Sequence, residues 1–520
     1  MLFNSFSYLL FLPAVVALYW IMPPRLRKTF LLLASYFFYM SWRPAYGLLI
    51  LILTVVNYGF GLLIARTAVG AGPDSENTAG SGEKSKLSRV FLILGLIFNL
   101  GALCYFKYTN FLLESVFTGL ASIITLTHST ALQNWDQPVL KIILPLGISF
   151  FTFEFIHYIV DVYRGSKPVK NFVDFALFAS FFPSQIAGPI KRFQDFMQQM
   201  GAHPAFQSQQ FRQGTFLILQ GLFKKVVLGD NLSPIVGRGF TNCGEIGLVD
   251  AWLAVIGFSY QLYFDFSGYT DIGRGSALLL GYKVPENFNL PFLAANLTDF
   301  WRRWHISLSS WLRDYLFISL GGSRGSAYKT KRNLILTMVL GGLWHGAAWH
   351  FVIWGAVHGF GLTVFKDWSQ FIAGNKHLAK LQKLRAWHIA GVVATNIFVY
   401  LAFAVFRAST LMQAQAVISK FFGIGVNGLC GEVVTLFVQS PLTVMLPAYF
   451  LYFLCRQAIT RENHLAPMAL DERKARPIWS PIVAYWEGAF PLRLVTYAAV
   501  LVTVIACAPS QYSPFIYFQF

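Results

Sequence analysis

Long apolar runs alternate along this chain with short polar loops. The runs lie at 5–22, 29–42, 45–65, 90–106, 139–163, 172–190, 214–229, 247–266, 333–365, 387–406, 434–455 and 489–507. Most are long enough to cross a bilayer, so the pattern predicts an all-α, polytopic membrane protein with about eleven transmembrane helices. Residues 1–520 read as a single integral membrane domain. The first run has no basic residue before it and no small-residue cleavage site, and therefore reads as a retained helix.

Two polar stretches interrupt the pattern. Residues 66–89 contain "VGAGPDSENTAGSGEKSK", a Gly/Ser-rich composition that predicts a flexible cytoplasmic loop. The stretch 261–332 holds "QLYFDFSGYTDI" and "FWRRWHISLSSWLRDYLFISLGG", too polar for lipid and too aromatic for a solvated loop. Such backbone survives at membrane depth only when buried in protein or lining a watery cavity, which predicts re-entrant or interfacial helices on the cytoplasmic side.

Composition agrees with the pattern: 55% of the 520 residues are hydrophobic, 17% aromatic and only 12% charged, against about 25% charged in soluble proteins. The net charge of +18 does not point to nucleic acid, because the basic residues sit in loops beside apolar runs, as the positive-inside rule requires. Arg25, Arg27 and Lys28, then Arg66, Lys84, Lys86 and Arg89, mark cytoplasmic loops. Arg456, Arg461, Arg473, Lys474 and Arg476 place the loop before the last helix inside as well, so the aromatic tail 508–520 with Tyr517 is expected outside. By itself such a tail is an interfacial anchor. Five cysteines without paired spacing suggest neither a disulfide framework nor a structural metal site.

Candidate chemistry concentrates between 300 and 359. Arg302, Arg303, Arg313, Arg324, Lys329, Lys331 and Arg332 suit anionic lipid headgroups or a phosphate-bearing ligand. In a helix, His345 lies about 20 Å beyond Arg332, near mid-membrane, where an ionisable side chain is either satisfied within the bundle or functional. A buried imidazole resists protonation and serves as a general base. The spacing of His345, His350 and His358 is not the i, i+4 arrangement of a metal site. Gly341, Gly342 and Gly346 leave room for a close neighbour. Glu154 and His157, three apart, read as a satisfied internal pair.

"LPLGISFFTFEFIHYIVDVYRG" (144–165), "FFPSQIAGPI" (181–190), "QLYFDFSGY" (261–269), "FWRRWHISLSSWLRDYLFISLGG" (300–322), "LGGLWHGAAWH" (340–350) and "SPFIYFQF" (513–520) resemble the membrane-bound O-acyltransferase family, in its bacterial polysaccharide-acylating branch. The resemblance implies helices around a central tunnel, with His345 catalytic and His305 at the cytoplasmic mouth. Trp301, Arg302, Arg303, Trp304, Trp344, Arg313, Asp314, Tyr263 and Asp265 would line the tunnel or hold the donor, and Trp349 would join the tryptophans in excluding water. The implied donor is acetyl-CoA or an acyl carrier protein, with no bound cofactor. The acceptor would be a secreted or cell-envelope polysaccharide, alginate-like first and cellulose or peptidoglycan next. Implied partners are a periplasmic or surface serine hydrolase-like acetyltransferase, export machinery and membrane lipids, at the bacterial inner membrane. Tyr517 would carry the acyl group. A phenol, with a pKa of about 10 against about 8.5 for a thiol, keeps much of the leaving-group quality of a thioester. A transporter, a channel or a scaffold for an export complex is the competing class, although the chain lacks the internal repeat that transporters often show.

Overall fold

The computed structural model describes residues 1–68, 85–126, 139–186, 188–202, 204–451, 490–509 and 515–516, which are helical and contain no strand. They divide into two compact units, Met1–Gly214 with Gly273–Phe398 and Thr215–Ile272 with Val399–Ile516.

Among the described residues, Pro44–Thr67, Lys86–Ile123 and Arg385–Arg407 are long and apolar enough to cross a membrane, and the bent pair Glu432–Gln439 and Leu442–Leu451 adds a fourth as one broken span. Several of the expected runs are interrupted in the structure. The run 172–190 breaks around Pro183 into Phe172–Ser180 and Phe182–Gln185, and 139–163 turns helical only at Ile148. The run 333–365 is two helices, Ala327–His345 and Trp349–Gly374.

In the first unit, two of the spanning helices are joined by buried amides. Asn57 Nδ2 donates to Asn99 Oδ1 at 3.0 Å and Asn99 Nδ2 returns the bond at 2.7 Å, while each also donates to the carbonyl four residues before it. Every donor of both amides is thus used, as burial demands. The helix Ile148–Tyr163 packs nearby, with Tyr158 against Gly61 and Ile159 against Gly95, positions where a Cβ would collide.

Three helices widen into π-helical turns, at Cys104–Tyr108, Phe223–Gly229 and Leu312–Phe317. Such turns gather at functional sites, and these three carry Lys107, then Lys224 and Lys225, then Arg313 and Asp314. The helix Leu248–Leu279 runs unbroken through 261–272, where polarity pointed to a re-entrant wall. Two of its buried acids are matched by lysines 40 and 47 positions earlier, Lys225 for Asp265 and Lys224 for Asp271, at 2.6 and 2.7 Å. The cytoplasmic side of the loop before the last helix rests on residues 456–476, outside the described residues.

Candidate active site

His345 is the last residue of the helix Ala327–His345, and the chain leaves it in extended form at Gly346 and Ala348 before the next helix begins. The two helices fold back on each other at glycine contacts: a Cβ on Gly342 would strike the Phe351 carbonyl, and one on Gly355 the Met338 carbonyl. The expected room at Gly342 is therefore filled by a neighbouring helix.

A helix end leaves orphan carbonyls and a partial negative charge. Here a neighbouring helix supplies the donors. Tyr108 Oη donates to the Leu343 carbonyl at 2.9 Å, and Lys107 Nζ donates to the carbonyls of Trp344 and, at 3.2 Å, His345. The same ammonium lies 5.7 Å from the Trp344 ring centroid and 3.5 Å from Ser149 Oγ. Lys107 was not among the residues singled out from sequence, although a lysine inside a long apolar stretch is an intramembrane charge and so a signal. Lys107, His345, Trp344, Trp42, Gly147 and Ile186 border a cavity of about 150 Å³.

Around His345 the side chains are aromatic. Its ring centroid is 5.0 Å from Trp344 and 5.1 Å from Trp354, and His305 lies 6.1 Å from Trp344. Trp354 continues to His358 at 4.8 Å, and His358 to Trp301 at 5.2 Å. Phe153 is stacked between Trp311 at 3.8 Å and Trp344 at 5.2 Å. Among the tryptophans expected to exclude water, Trp344 meets His345 directly. Trp301 reaches it through Trp354, 5.9 Å away, whereas Trp304 belongs to a core with Phe288 and Phe300. Trp349 is 59% exposed and packs on Phe111, so it does not shield the imidazole. Trp354 takes a place beside His345 that sequence reasoning gave to others.

His305 sits between two helices too short to cross a membrane, Leu297–Arg303 and Ile306–Trp311, with φ at 42°. A non-glycine residue in this left-handed region is held there by its surroundings. Asn287 does the holding: its carbonyl accepts from Ile306 N at 2.9 Å and its Oδ1 from Ser307 Oγ at 2.6 Å. Burial pushes the His305 imidazole down to about 3, so it is neutral at physiological pH.

At the other end of Ile148–Tyr163 the charges become exposed and paired. Arg192 and Arg313 meet Asp314 at 2.8 and 2.7 Å, and Arg164 donates to the Asp314 carbonyl. Both Arg164 and Arg192 lie over Tyr315, whose hydroxyl donates to Asp161 at 2.6 Å. Burial, together with that carboxylate, pushes the Tyr315 phenol up. Arg303 pairs with Asp299 at 2.9 Å, and Arg302 is exposed. Arg164 and Arg192, absent from the sequence-stretch between 300 and 332, thus join its basic set.

Glu154 and His157 do not pair with each other. Lys191 Nζ donates to both Glu154 oxygens, at 2.7 and 3.0 Å, and the Lys191 amide adds a third bond. His157 Nδ1 faces the Phe153 carbonyl at 3.1 Å, and Nε2 accepts from Phe193 N. The expectation of satisfaction holds, with different partners, because residues three apart on this helix both turn toward the segment 190–193.

Tyr263 and Asp265 lie in the second unit, in a buried cluster where Lys225 bridges Asp265 and Asp230, both at 2.6 Å, and Lys224 meets Asp271. Tyr263 lies 5.9 Å from Lys224 Nζ. Tyr517 is outside the described residues. Among the described residues no group of three or more His, Cys, Asp or Glu is placed to hold a metal ion.

Comparison with known proteins bears on what this arrangement does. The model of the membrane-bound O-acyltransferase family matches residues 166–411. The chain is 38% identical over 534 residues to a probable alginate O-acetylase of Azotobacter vinelandii, with 100% of both chains covered. It is 37% identical over 434 residues to a peptidoglycan O-acetyltransferase of Helicobacter pylori, covering 78% of this chain and 76% of the relative. A teichoic acid D-alanyltransferase of Bacillus subtilis is 30% identical over 290 residues, 52% of this chain and 70% of its own. The protein is an enzyme, an O-acyltransferase, and not a transporter or a scaffold alone. With its apolar helices and a likeness that runs the full length of the relative, the chain belongs to the membrane-bound O-acyltransferase family.

Proposed function

We propose that this enzyme moves an acetyl group from acetyl-CoA, at the cytoplasmic face of a bacterial inner membrane, for O-acetylation of a polysaccharide outside. An alginate-like polymer is the first choice of acceptor, because the relative matched end to end carries that activity in its name. Peptidoglycan is the next. The observation that carries the reading is the position of His345: an imidazole at a helix end, bordering a cavity and walled by Trp344 and Trp354.

Such an imidazole is suited to general base catalysis in a site that excludes water. It takes the proton of an acceptor hydroxyl while that oxygen attacks the thioester carbonyl; the C–S bond breaks, and the proton passes to the departing sulfur. CoA leaves as the free thiol. The immediate acceptor is the Tyr517 phenol, and a serine hydrolase-like partner then takes the acetyl group to the polymer. Exposed Arg302 and Arg313, with Arg164 and Arg192, offer guanidinium forks to the donor's phosphates. His305 completes the site on the donor side.

The test is peptide mass mapping of the purified protein after incubation with acetyl-CoA, comparing the native chain with His345→Ala and Tyr517→Phe. An acetyl adduct on the C-terminal peptide that needs both residues is expected. If no adduct forms and polymer acetylation in cells survives Tyr517→Phe, the tail is an anchor and the acetyl group leaves His345 by another route.

A further inference from the structure

Phe515 and Ile516 are buried, 0% and 4% exposed. Chain ends are ordinarily frayed unless something ties them down, and here the tie is specific. The Ile516 amide donates to Asp265 Oδ2 at 2.6 Å, and the other oxygen of that carboxylate meets Lys225 Nζ at 2.6 Å. Lys225 in turn meets Asp230. One ammonium thus bridges two carboxylates, and the Ile516 N–H is a further donor to one of them. Hydrogen bonds to a charged acceptor are the strong class. The Phe515 ring packs 4.3 Å from Tyr269 and 5.8 Å from Phe266. Asp265 and Tyr269, at i and i+4, share one face of the helix Leu248–Leu279, and Phe266 adjoins Tyr269 three residues before it, so neighbouring positions on that helix receive both tail residues. The π-helical turn Phe223–Gly229 carries Lys225 to that face.

We propose that Asp265 is the anchor of the C-terminal tail, holding the backbone at Ile516, one residue before Tyr517, and that it serves acyl transfer as a positioning residue and not by contact with the donor. This rests on the reading of Tyr517 as the acyl carrier. Phe515 is the second half of the anchor. Phe515 and Ile516 are held on their own chain through one backbone N–H and one aromatic ring.

Hydrogen exchange of the C-terminal peptide in the purified full-length protein, read by mass spectrometry, tests the anchor separately from the chemistry. Asp265→Leu removes the acceptor and is expected to speed exchange at Ile516 at least about tenfold. Asp265→Asn retains an acceptor oxygen but loses the charge, so its increase is expected to be smaller. Exchange in the peptide covering Ala327–His345 stays unchanged in each, and acetylation of the tail by acetyl-CoA falls in step with the loss of protection. Phe515→Ala alters the tail alone, leaves the ion cluster intact and is expected to free the tail as well. Unchanged tail exchange in both Asp265→Leu and Phe515→Ala overturns the proposal. Tyr517→Phe separates the two ideas: it keeps slow exchange while losing the adduct. If polymer acetylation survives that substitution, the carrier reading falls, and the exchange data still decide whether Asp265 is an anchor.

Discussion

The surroundings of His345 and the buried cluster of the second unit handle polar groups in opposite ways. Around His345 the neighbours are rings and backbone carbonyls, and the nearby cation, Lys107, is spent on the carbonyls of a helix end. In the second unit the buried polar groups are full charges in direct contact, Lys225 with Asp230 and Asp265, Lys224 with Asp271. An imidazole can be buried without a counter-charge because it can stay neutral. An acid buried in its ionised form needs a cation beside it, or it must take up a proton to be buried at all. The first arrangement leaves a group ready to take a proton. The second ties its charges to one another and to the Ile516 amide, which is the character of an anchor.

Substitution breaks this contrast in two directions. His345→Ala is expected to lower acetyl transfer by about 10²–10⁴, the range for loss of a general base, while the thermal midpoint in detergent stays close to that of the native protein. A large fall in the midpoint would make His345 a structural residue. Lys225→Met is expected to reverse the pattern. Leaving Asp230 and Asp265 buried without their cation costs about 3–5 kcal/mol, read as a lowered midpoint or lost expression. If Lys225→Met is as stable as the native chain, the cluster is wetter than its burial indicates.

Lys107 sits between these extremes, since it is a charge whose partners are neutral carbonyls. Lys107→Met strips donors from the last turn that carries His345, and unsatisfied buried acceptors cost about 1–3 kcal/mol. The expected result is a modest loss of stability with a larger loss of turnover, and Lys107→Arg, which keeps charge and donors, is expected to recover part of both. Equal behaviour of the Met and Arg variants would show that the ammonium does not hold the helix end.

Sequence showed the class of fold and the two histidine motifs because both are local: apolar runs announce helices, and "WRRWHISLS" and "GGLWHG" each carry their own context. It did not show contacts made across distance. Nothing near Asp265 in the chain hints that Lys225 neutralises it, so an acid in "YFDFSGY" read as a break in a helix that in fact continues. The three-residue spacing of Glu154 and His157 pointed to each other, whereas their partners come from 191 and 193. Trp304 and Trp349 flank the motif histidines in sequence, yet one lies in a core and the other is exposed. Trp354 lies nine residues past His345 and returns to it only because the chain reverses at Gly346.

The smallest expected effect is on the exposed basic face and sharpens the comparison from the solvent side. Arg302 is exposed, and a charge in water contributes little to binding, about 0.2–1 kcal/mol per pair. Arg302→Gln should therefore raise KM for acetyl-CoA only a few-fold and leave kcat unchanged. The difference should vanish near 1 M salt, where the screening length shrinks to about 3 Å. Arg313→Gln has an added consequence, because Arg313 shares Asp314 with Arg192. Its removal leaves the Asp314 carboxylate to Arg192, which ties that guanidinium more firmly to the acid. A salt-sensitive rise in KM for both variants, larger for Arg313→Gln, would identify the face as a phosphate-steering surface. A fall in kcat with KM and salt dependence unchanged would show instead that these arginines hold the reacting geometry, and would move them from the exposed, screened class into that of His345.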